Sequence, residues 1–147
     1  MKHRNCKRMI TRVIFQIGFI FLTVGLTPCL SLADTLKPFS SDGCSGFPNG
    51  TLLHQALWLD CCTVHDISYW KGGTYQERID ADRILKECVA KSGEPKIALL
   101  MLAGVRVGGS PLFPTSFRWG YGWSYPRLYG PLNDAELEQI KSLMPAQ

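Results

Sequence analysis

Four cysteines constrain the fold of this chain more than any other feature. The chain has six cysteines in 147 residues, and those beyond residue 33 are Cys44, Cys61, Cys62 and Cys88. In an oxidising compartment, an even number of cysteines in a small domain is typical of disulfides, whereas cytosolic cysteines more often bind metal or act in catalysis. The compartment therefore decides how these four residues are interpreted.

The N-terminus has the pattern of an export signal. Five Lys or Arg residues open the chain, and the segment that follows them has no charged side chain up to Ala33. The sequence Ser31-Leu32-Ala33 is typical of a signal-peptidase site, and the apolar run is also long enough for an uncleaved anchor. We expect residues 1–33 to be a signal peptide or an anchor. Residues 34–147 are then secreted or periplasmic, or membrane-anchored if the signal is uncleaved.

The exported part is predicted to be one small domain with little net charge. Five of the 16 Lys and Arg residues lie in residues 1–33 and all 12 acidic residues lie in residues 34–147, so the domain has a net charge of −1. This balance gives no support for a nucleic-acid-binding surface. The 114 residues of the domain suffice for one modest core, and no repeat or linker divides them.

Two helices are predicted on either side of a glycine pair. Residues 57–70 lack Pro and Gly, and their apolar residues recur with helical spacing. Thr74 stands three residues before Glu77, a capping box that predicts a second helix through about residue 89. The short connection indicates an antiparallel hairpin, so we predict a small, all-α, disulfide-cross-linked domain.

The pairing of the cysteines decides which side chains of the two helices lie close together. Adjacent cysteines are poorly placed to bond each other, so two pairings of the four remain open. If Cys61 is joined to Cys88, the helices are held side by side, and the rise of a helix places His65 nearly level with Asp82. Asp66 then lies on the neighbouring face of the first helix.

These residue types favour hydrolysis by water. A histidine beside a carboxylate is a candidate general base, and a carboxylate beside loop carbonyls is a candidate Ca²⁺ site outside the cell. The chain has no G-x-S-x-G nucleophile elbow. Zinc binding through Cys62 and His65 is disfavoured, because oxidised cysteines do not ligate a metal.

The same segment resembles the secreted phospholipase A2 superfamily. The signature C-C-x-x-H-D-x-x-Y is matched in full, and the pattern D-R-x-x-x-x-C is matched in the second helix. The long insertion that animal members carry between the helices is absent, so the chain is most similar to the compact bacterial and fungal branch. The matching residues, within residues 42–88, are Cys61, Cys62, His65, Asp66, Tyr69, Asp82, Arg83 and Cys88.

The resemblance implies a role for each matched residue. It implies that His65 takes a proton from the attacking water, that Asp82 orients the imidazole and that Tyr69 hydrogen-bonds this aspartate. It implies that Asp66 binds Ca²⁺, which polarises the ester carbonyl. The disulfides that it implies are Cys44–Cys62 and Cys61–Cys88.

Two further assignments concern carboxylates outside the signature. The calcium loop departs from the animal pattern, but the bacterial and fungal branch places an aspartate two residues before the loop cysteine, as Asp42 does here. We therefore expect Asp42 and the Gly43 carbonyl to join Asp66 as calcium ligands. Asp80 is a rival of Asp82 for the catalytic dyad, and the spacing to the following cysteine favours Asp82.

The C-terminal part carries no transferable motif. Pro95 opens an apolar segment that is predicted to be a helix too short to span a membrane, and Asn133 caps a final amphipathic helix. Between them, seven aromatic residues crowd residues 110–131. These rings either seat the protein on a lipid surface or pack over a small core.

The expected function is calcium-dependent hydrolysis of the sn-2 acyl ester of glycerophospholipids, with a phospholipid membrane or micelle surface as the partner. The alternative is a phospholipase A2-like scaffold without turnover that acts as a binding or interaction module, because a fold does not by itself fix an activity. No nucleic-acid partner is expected.

Overall fold

The described part of the chain contains four helices. The computed structural model describes residues 34–145, and the predicted signal peptide or anchor over residues 1–33 lies outside them. Within that range no strand forms, which confirms an all-α, disulfide-linked fold class, and no helix is long and apolar enough to cross a membrane. The helices are α1 Leu59–Lys71, α2 Tyr75–Lys91, α3 Pro95–Gly108 and α4 Asp134–Leu143.

The α1–α2 hairpin forms at the predicted glycine pair. Gly72 and Gly73 have φ values of 68° and 131°, which side chains other than glycine rarely adopt, so α1 ends there. The predicted capping box follows: Thr74 Oγ1 accepts from the Glu77 backbone N–H at 3.3 Å, and a Glu77 carboxylate oxygen accepts from the Thr74 N–H at 2.6 Å. The hairpin is confirmed, although α1 begins two residues later than predicted.

Two disulfides fix this hairpin and the loop that precedes it. Cys61–Cys88, here named the hairpin disulfide, joins α1 to α2 with Cα atoms 5.7 Å apart. Cys44–Cys62, here named the loop disulfide, joins the segment before α1 to the same helix with Cα atoms 5.1 Å apart. Both are the pairings that the resemblance implied. Together they bond α1 to two different elements at adjacent positions.

The third helix completes the core around the disulfides. α3 packs along α2, and its buried residues Ala98 and Met101 join the cysteines, Leu85 and Val89 in one apolar cluster. Many other apolar side chains of α3 remain exposed. α3 therefore presents one face to the hairpin and leaves another uncovered.

The tryptophans of the aromatic segment pack inward. Trp119 and Trp123 are almost fully buried, so for these two rings the structure agrees with packing over a core and not with exposure to lipid. Each of the four tryptophans donates its indole N–H to a backbone carbonyl, which satisfies a buried polar group. The pairs are Trp58 to Pro48, Trp70 to Lys37, Trp119 to Gly73 and Trp123 to Lys71.

Candidate active site

A buried histidine–carboxylate pair lies between α1 and α2. His65 Nε2 is 3.0 Å from Asp82 Oδ1, and their exposed side-chain fractions are 7% and 0%. The hairpin disulfide holds the two helices together about one turn away on α1, so the contact follows from the register of the hairpin. The other ring nitrogen of His65, Nδ1, makes no hydrogen bond within residues 34–145.

Asp82, and not its rival Asp80, is the aspartate that contacts His65. The Asp80 side chain is 45% exposed and contacts groups of its own helix, accepting from Gln76 at 3.2 Å and lying 3.6 Å from Arg83. The two aspartates are two residues apart on α2 and so point in different directions. The structure therefore brings only Asp82 to His65.

Two further groups contact the Asp82 carboxylate. The Tyr69 hydroxyl donates to Oδ1 at 2.7 Å, as the resemblance implied. Arg106 from the end of α3 places Nε 2.8 Å from Oδ2, an ion pair in which the N–H is not aligned with the oxygen for a hydrogen bond. Arg106 was not predicted as a site residue, because nothing local to its apolar segment indicates that α3 ends beside α2.

A second arginine holds the phenol in place. Arg78 donates from Nε to the Tyr69 hydroxyl at 3.1 Å, and its Nη2 donates to the carbonyls of Val105 and Arg106 at 2.9 Å each. Burial and the negative charge of Asp82 raise the pKa of Tyr69 above its usual value, so the phenol stays protonated and donates. Arg78 thus ties the dyad to the last turn of α3.

Asp66 lies on the adjacent face of α1 and contacts the loop before that helix. The Ser41 hydroxyl donates to Asp66 Oδ2 at 2.5 Å, and the Gly43 N–H donates to the same Ser41 hydroxyl at 3.1 Å. Burial raises the pKa of Asp66 to about 6, a shift that the Ser41 hydrogen bond and His65 oppose and the charge of Asp42 reinforces. No ion pair satisfies this carboxylate among the described residues.

The loop from Asp42 to Gly46 is tightly turned beside Asp66. Gly43 and Gly46 have φ values of 80° and 77°, and Ser45, which has a side chain, also has a positive φ of 35°. Ser45 Oγ donates to Asp42 Oδ1 at 2.7 Å, so the Asp42 side chain is held within its own loop. The Gly43 carbonyl accepts no hydrogen bond within residues 34–145.

These residues fit a hard cation. A buried carboxylate without a cationic partner and a free loop carbonyl are oxygen ligands of the kind that Ca²⁺ takes, and Asp42 lies close enough for its charge to act on Asp66. No group of three or more His, Cys, Asp or Glu side chains in the described part of the chain is placed to hold a metal ion. A cation at Asp66 would therefore need backbone carbonyls and water as further ligands.

An apolar cavity of about 350 Å³ opens beside both carboxylate sites. His65, Asp66 and Tyr69 line one part of it, with the loop from Gly43 to Phe47 beside them. The remaining wall comes mainly from α3, with Leu85 of α2, the loop disulfide, Gly109 and Phe117. Sequence reasoning did not assign these α3 residues to the site, although the long apolar run from Ile97 to Ala103 is a signal for such a wall.

Comparison with known proteins gives no match to this chain among family models, curated proteins or solved structures.

Proposed function

We propose that this protein is a calcium-dependent hydrolase that cleaves the sn-2 acyl ester of glycerophospholipids. The observation that carries the proposal is the buried pair of His65 and Asp82, of which His65 lines an apolar cavity, with Asp66 lining the same cavity. Metal-assisted hydrolysis of a lipid ester uses three parts. They are a general base, a site of oxygen ligands for the metal and an apolar cavity for the substrate. The sn-2 position is taken from the resemblance.

The base is His65, acting on a water molecule. Its Nε2 is engaged by Asp82, which fixes the ring and stabilises the imidazolium that forms, while Nδ1 is left to accept the proton of the attacking water. The Tyr69 hydroxyl and Arg106 hold the Asp82 carboxylate on its other sides. The Asp82 carboxylate is therefore held by groups from two helices, α1 and α3, and does not depend on one contact.

The acyl chain is the part of the substrate that fits the cavity. The walls include Phe47, Leu100, Met101, Val105 and Phe117, and the volume lies within the range of small-molecule sites. Exposed apolar side chains on and after α3, two of which also line the cavity, suit a substrate that is drawn from an aggregate of lipids. They are Leu99, Leu100, Val107, Leu112, Phe113 and Phe117.

Asp66, the Gly43 carbonyl and Asp42 are the residues that would hold Ca²⁺. When bound there, Ca²⁺ would polarise the ester carbonyl and compensate the negative charge that develops on its oxygen. The chain itself supplies the position: the loop disulfide ties residues 42–46 to α1 beside Asp66.

Fatty-acid release from mixed micelles of phospholipid and detergent tests the proposal. We expect release with Ca²⁺ and none with chelator, and a loss of about 10²–10⁴-fold in His65→Gln, which keeps size and polarity but removes the base. His54→Gln is the matched control, because His54 is exposed outside the cavity and should keep full activity. Equal release by His65→Gln and the wild type would refute the assignment of the base.

A second candidate function is a binding module that keeps the cavity without turnover. The contact between Ser41 and Asp66 favours it, because the hydroxyl occupies a carboxylate oxygen that a cation would otherwise use. The same experiment separates the two candidates. A wild-type protein that retains lipid in the cavity but releases no fatty acid at millimolar Ca²⁺ is the binding module.

A further inference from the structure

A second cavity lies outside the candidate active site and contains cations without acids. Its volume is about 430 Å³, and Lys37 and Arg118 are among its lining residues, whereas no Asp or Glu is. Serine, threonine and tyrosine hydroxyls add further hydrogen-bonding groups to the wall. The chain from Ser116 to Arg118 contributes to both cavities, because Phe117 lines the first.

Arg118 is the central group of this cavity. Its exposed fraction is 4%, and it forms no ion pair within residues 34–145. Burial lowers the pKa of its guanidinium below the usual value, and the electrostatic effects of Tyr125 and Asp34 oppose that shift only in part. A buried cation that lacks an acid is costly unless an anion reaches it.

The hydrogen bonds of Arg118 leave part of its guanidinium free. Nη1 donates to the carbonyls of Trp119 and Gly120, and Nη2 donates to that of Trp123 at 2.7 Å. Nε makes no hydrogen bond among the described residues, so donors remain after the carbonyls are satisfied. The paired N–H groups of a guanidinium suit the oxygens of phosphate and carboxylate.

An independent observation comes from Thr115, another residue of the wall. Its hydroxyl oxygen is buried and has no hydrogen-bond partner in the described part of the chain. Native proteins seldom leave a buried hydroxyl without a partner, and each such group calls for an explanation such as an unseen ligand. Thr115, whose hydroxyl lacks a partner, and Arg118, which forms no ion pair among the described residues, thus both line this cavity.

We propose that this second cavity binds a phosphate group through Arg118, Lys37 and Thr115. Phosphate presents several oxygens in different directions, which matches donors that come from separate parts of the chain, while a planar carboxylate would use fewer of them. The cavity is larger than one phosphate, so its natural occupant is a phosphate ester, from a lipid headgroup or from a soluble molecule. The proposal does not rest on the hydrolase function.

Titration calorimetry with inorganic phosphate tests the proposal, at constant ionic strength maintained with chloride. Arg118 also holds three backbone carbonyls, so its replacement endangers the fold, and Thr115→Val and Lys37→Gln are the variants of choice. We expect phosphate affinity to fall about tenfold in Thr115→Val, which loses a hydrogen bond to a charged group, and about fivefold in Lys37→Gln. Lys141→Gln is the matched control, since Lys141 is 80% exposed on α4 and outside the cavity.

Vesicles distinguish the two sources of the phosphate. Sedimentation with phosphatidic acid vesicles, in chelator to prevent hydrolysis, is repeated with added inorganic phosphate. Retention that phosphate competes away, and that Thr115→Val weakens, supports a lipid headgroup, whereas calorimetric binding without retention supports a soluble ester. The proposal is overturned if phosphate binds no better than chloride, or if both variants bind it as the wild type does.

Discussion

Asp66 is expected to destabilise the calcium-free protein at neutral pH. Its carboxylate is buried, its described hydrogen-bond partner is the Ser41 hydroxyl, and no cation pairs with it in residues 34–145. Asp66→Asn keeps the size of the side chain and the ability to accept from Ser41, but removes the negative charge. The substitution should therefore stabilise the protein while it abolishes calcium binding.

The size of the effect follows from the shift of the Asp66 pKa. Burial raises that pKa from 3.8 to about 6, so the folded state holds the proton more tightly than the unfolded state does. Relative to the ionised form, the protonated form of Asp66 favours the folded state. This contribution to stability is fully present below the unfolded pKa of 3.8 and is lost as the pH rises through about 6. The loss amounts to about 3 kcal/mol above that window, a large share of the stability of a small domain.

Urea unfolding followed by tryptophan fluorescence measures this difference. In chelator, Asp66→Asn should exceed the wild type in free energy of unfolding by about 3 kcal/mol at pH 8 and by little at pH 4. Saturating Ca²⁺ should raise the free energy of unfolding of the wild type at pH 8 and leave that of Asp66→Asn unchanged, because a ligand that binds only the folded state stabilises it by mass action.

Asp60→Asn provides the control for the chemical change itself. Asp60 is exposed in the first turn of α1, so its substitution should alter stability by less than about 1 kcal/mol at either pH. A wild type as stable as Asp66→Asn at pH 8 in chelator would show that the carboxylate is already compensated. The account of Asp66 as an isolated buried charge would then be wrong.

Three further outcomes are expected. Asp82→Asn should reduce fatty-acid release, though less than removal of the base does, and Asp80→Asn should leave release unchanged; the reverse order in the same assay would move the dyad to Asp80. Replacing both cysteines of the hairpin disulfide with alanine should lower the free energy of unfolding by about 2–5 kcal/mol in urea, and a loss near zero would contradict its structural role. Gly109→Ala should cost about 1–3 kcal/mol and reduce turnover, because its Cβ would overlap the Tyr69 ring; wild-type values in both measurements would contradict that packing.

The elements that the sequence predicted are those specified by neighbouring residues. The hairpin was predictable because the glycine pair and the capping box at Thr74 act within one turn of helix, and the capping box at Asn133 predicted α4 for the same reason. The pair of His65 and Asp82 was predictable once the helices were taken as antiparallel and in register. The choice between Asp80 and Asp82 needed only the spacing to the following cysteine.

The contacts that the sequence did not predict join residues far apart in the chain. Arg106 reaches Asp82 because α3 ends beside the middle of α2, and neither helix carries a local signal for that crossing. The inward packing of Trp119 depends in the same way on the Gly73 carbonyl, 46 residues earlier in the chain. Such pairings depend on the whole fold, which periodicity does not determine.

The adjacent cysteines and the adjacent His65 and Asp66 follow from one geometric property of α1. Neighbouring residues on a helix point about 100° apart, and residues four apart share a face. Cys61 and Cys62 therefore bond in two directions, to α2 and to the preceding loop, and one turn later His65 and Asp66 point in the same two directions. His65 meets Asp82 on α2, whereas Asp66 meets Ser41 beside the loop. Each of the two groups thus lies one turn from the disulfide that fixes the element it contacts, so each disulfide supports a different half of the candidate site.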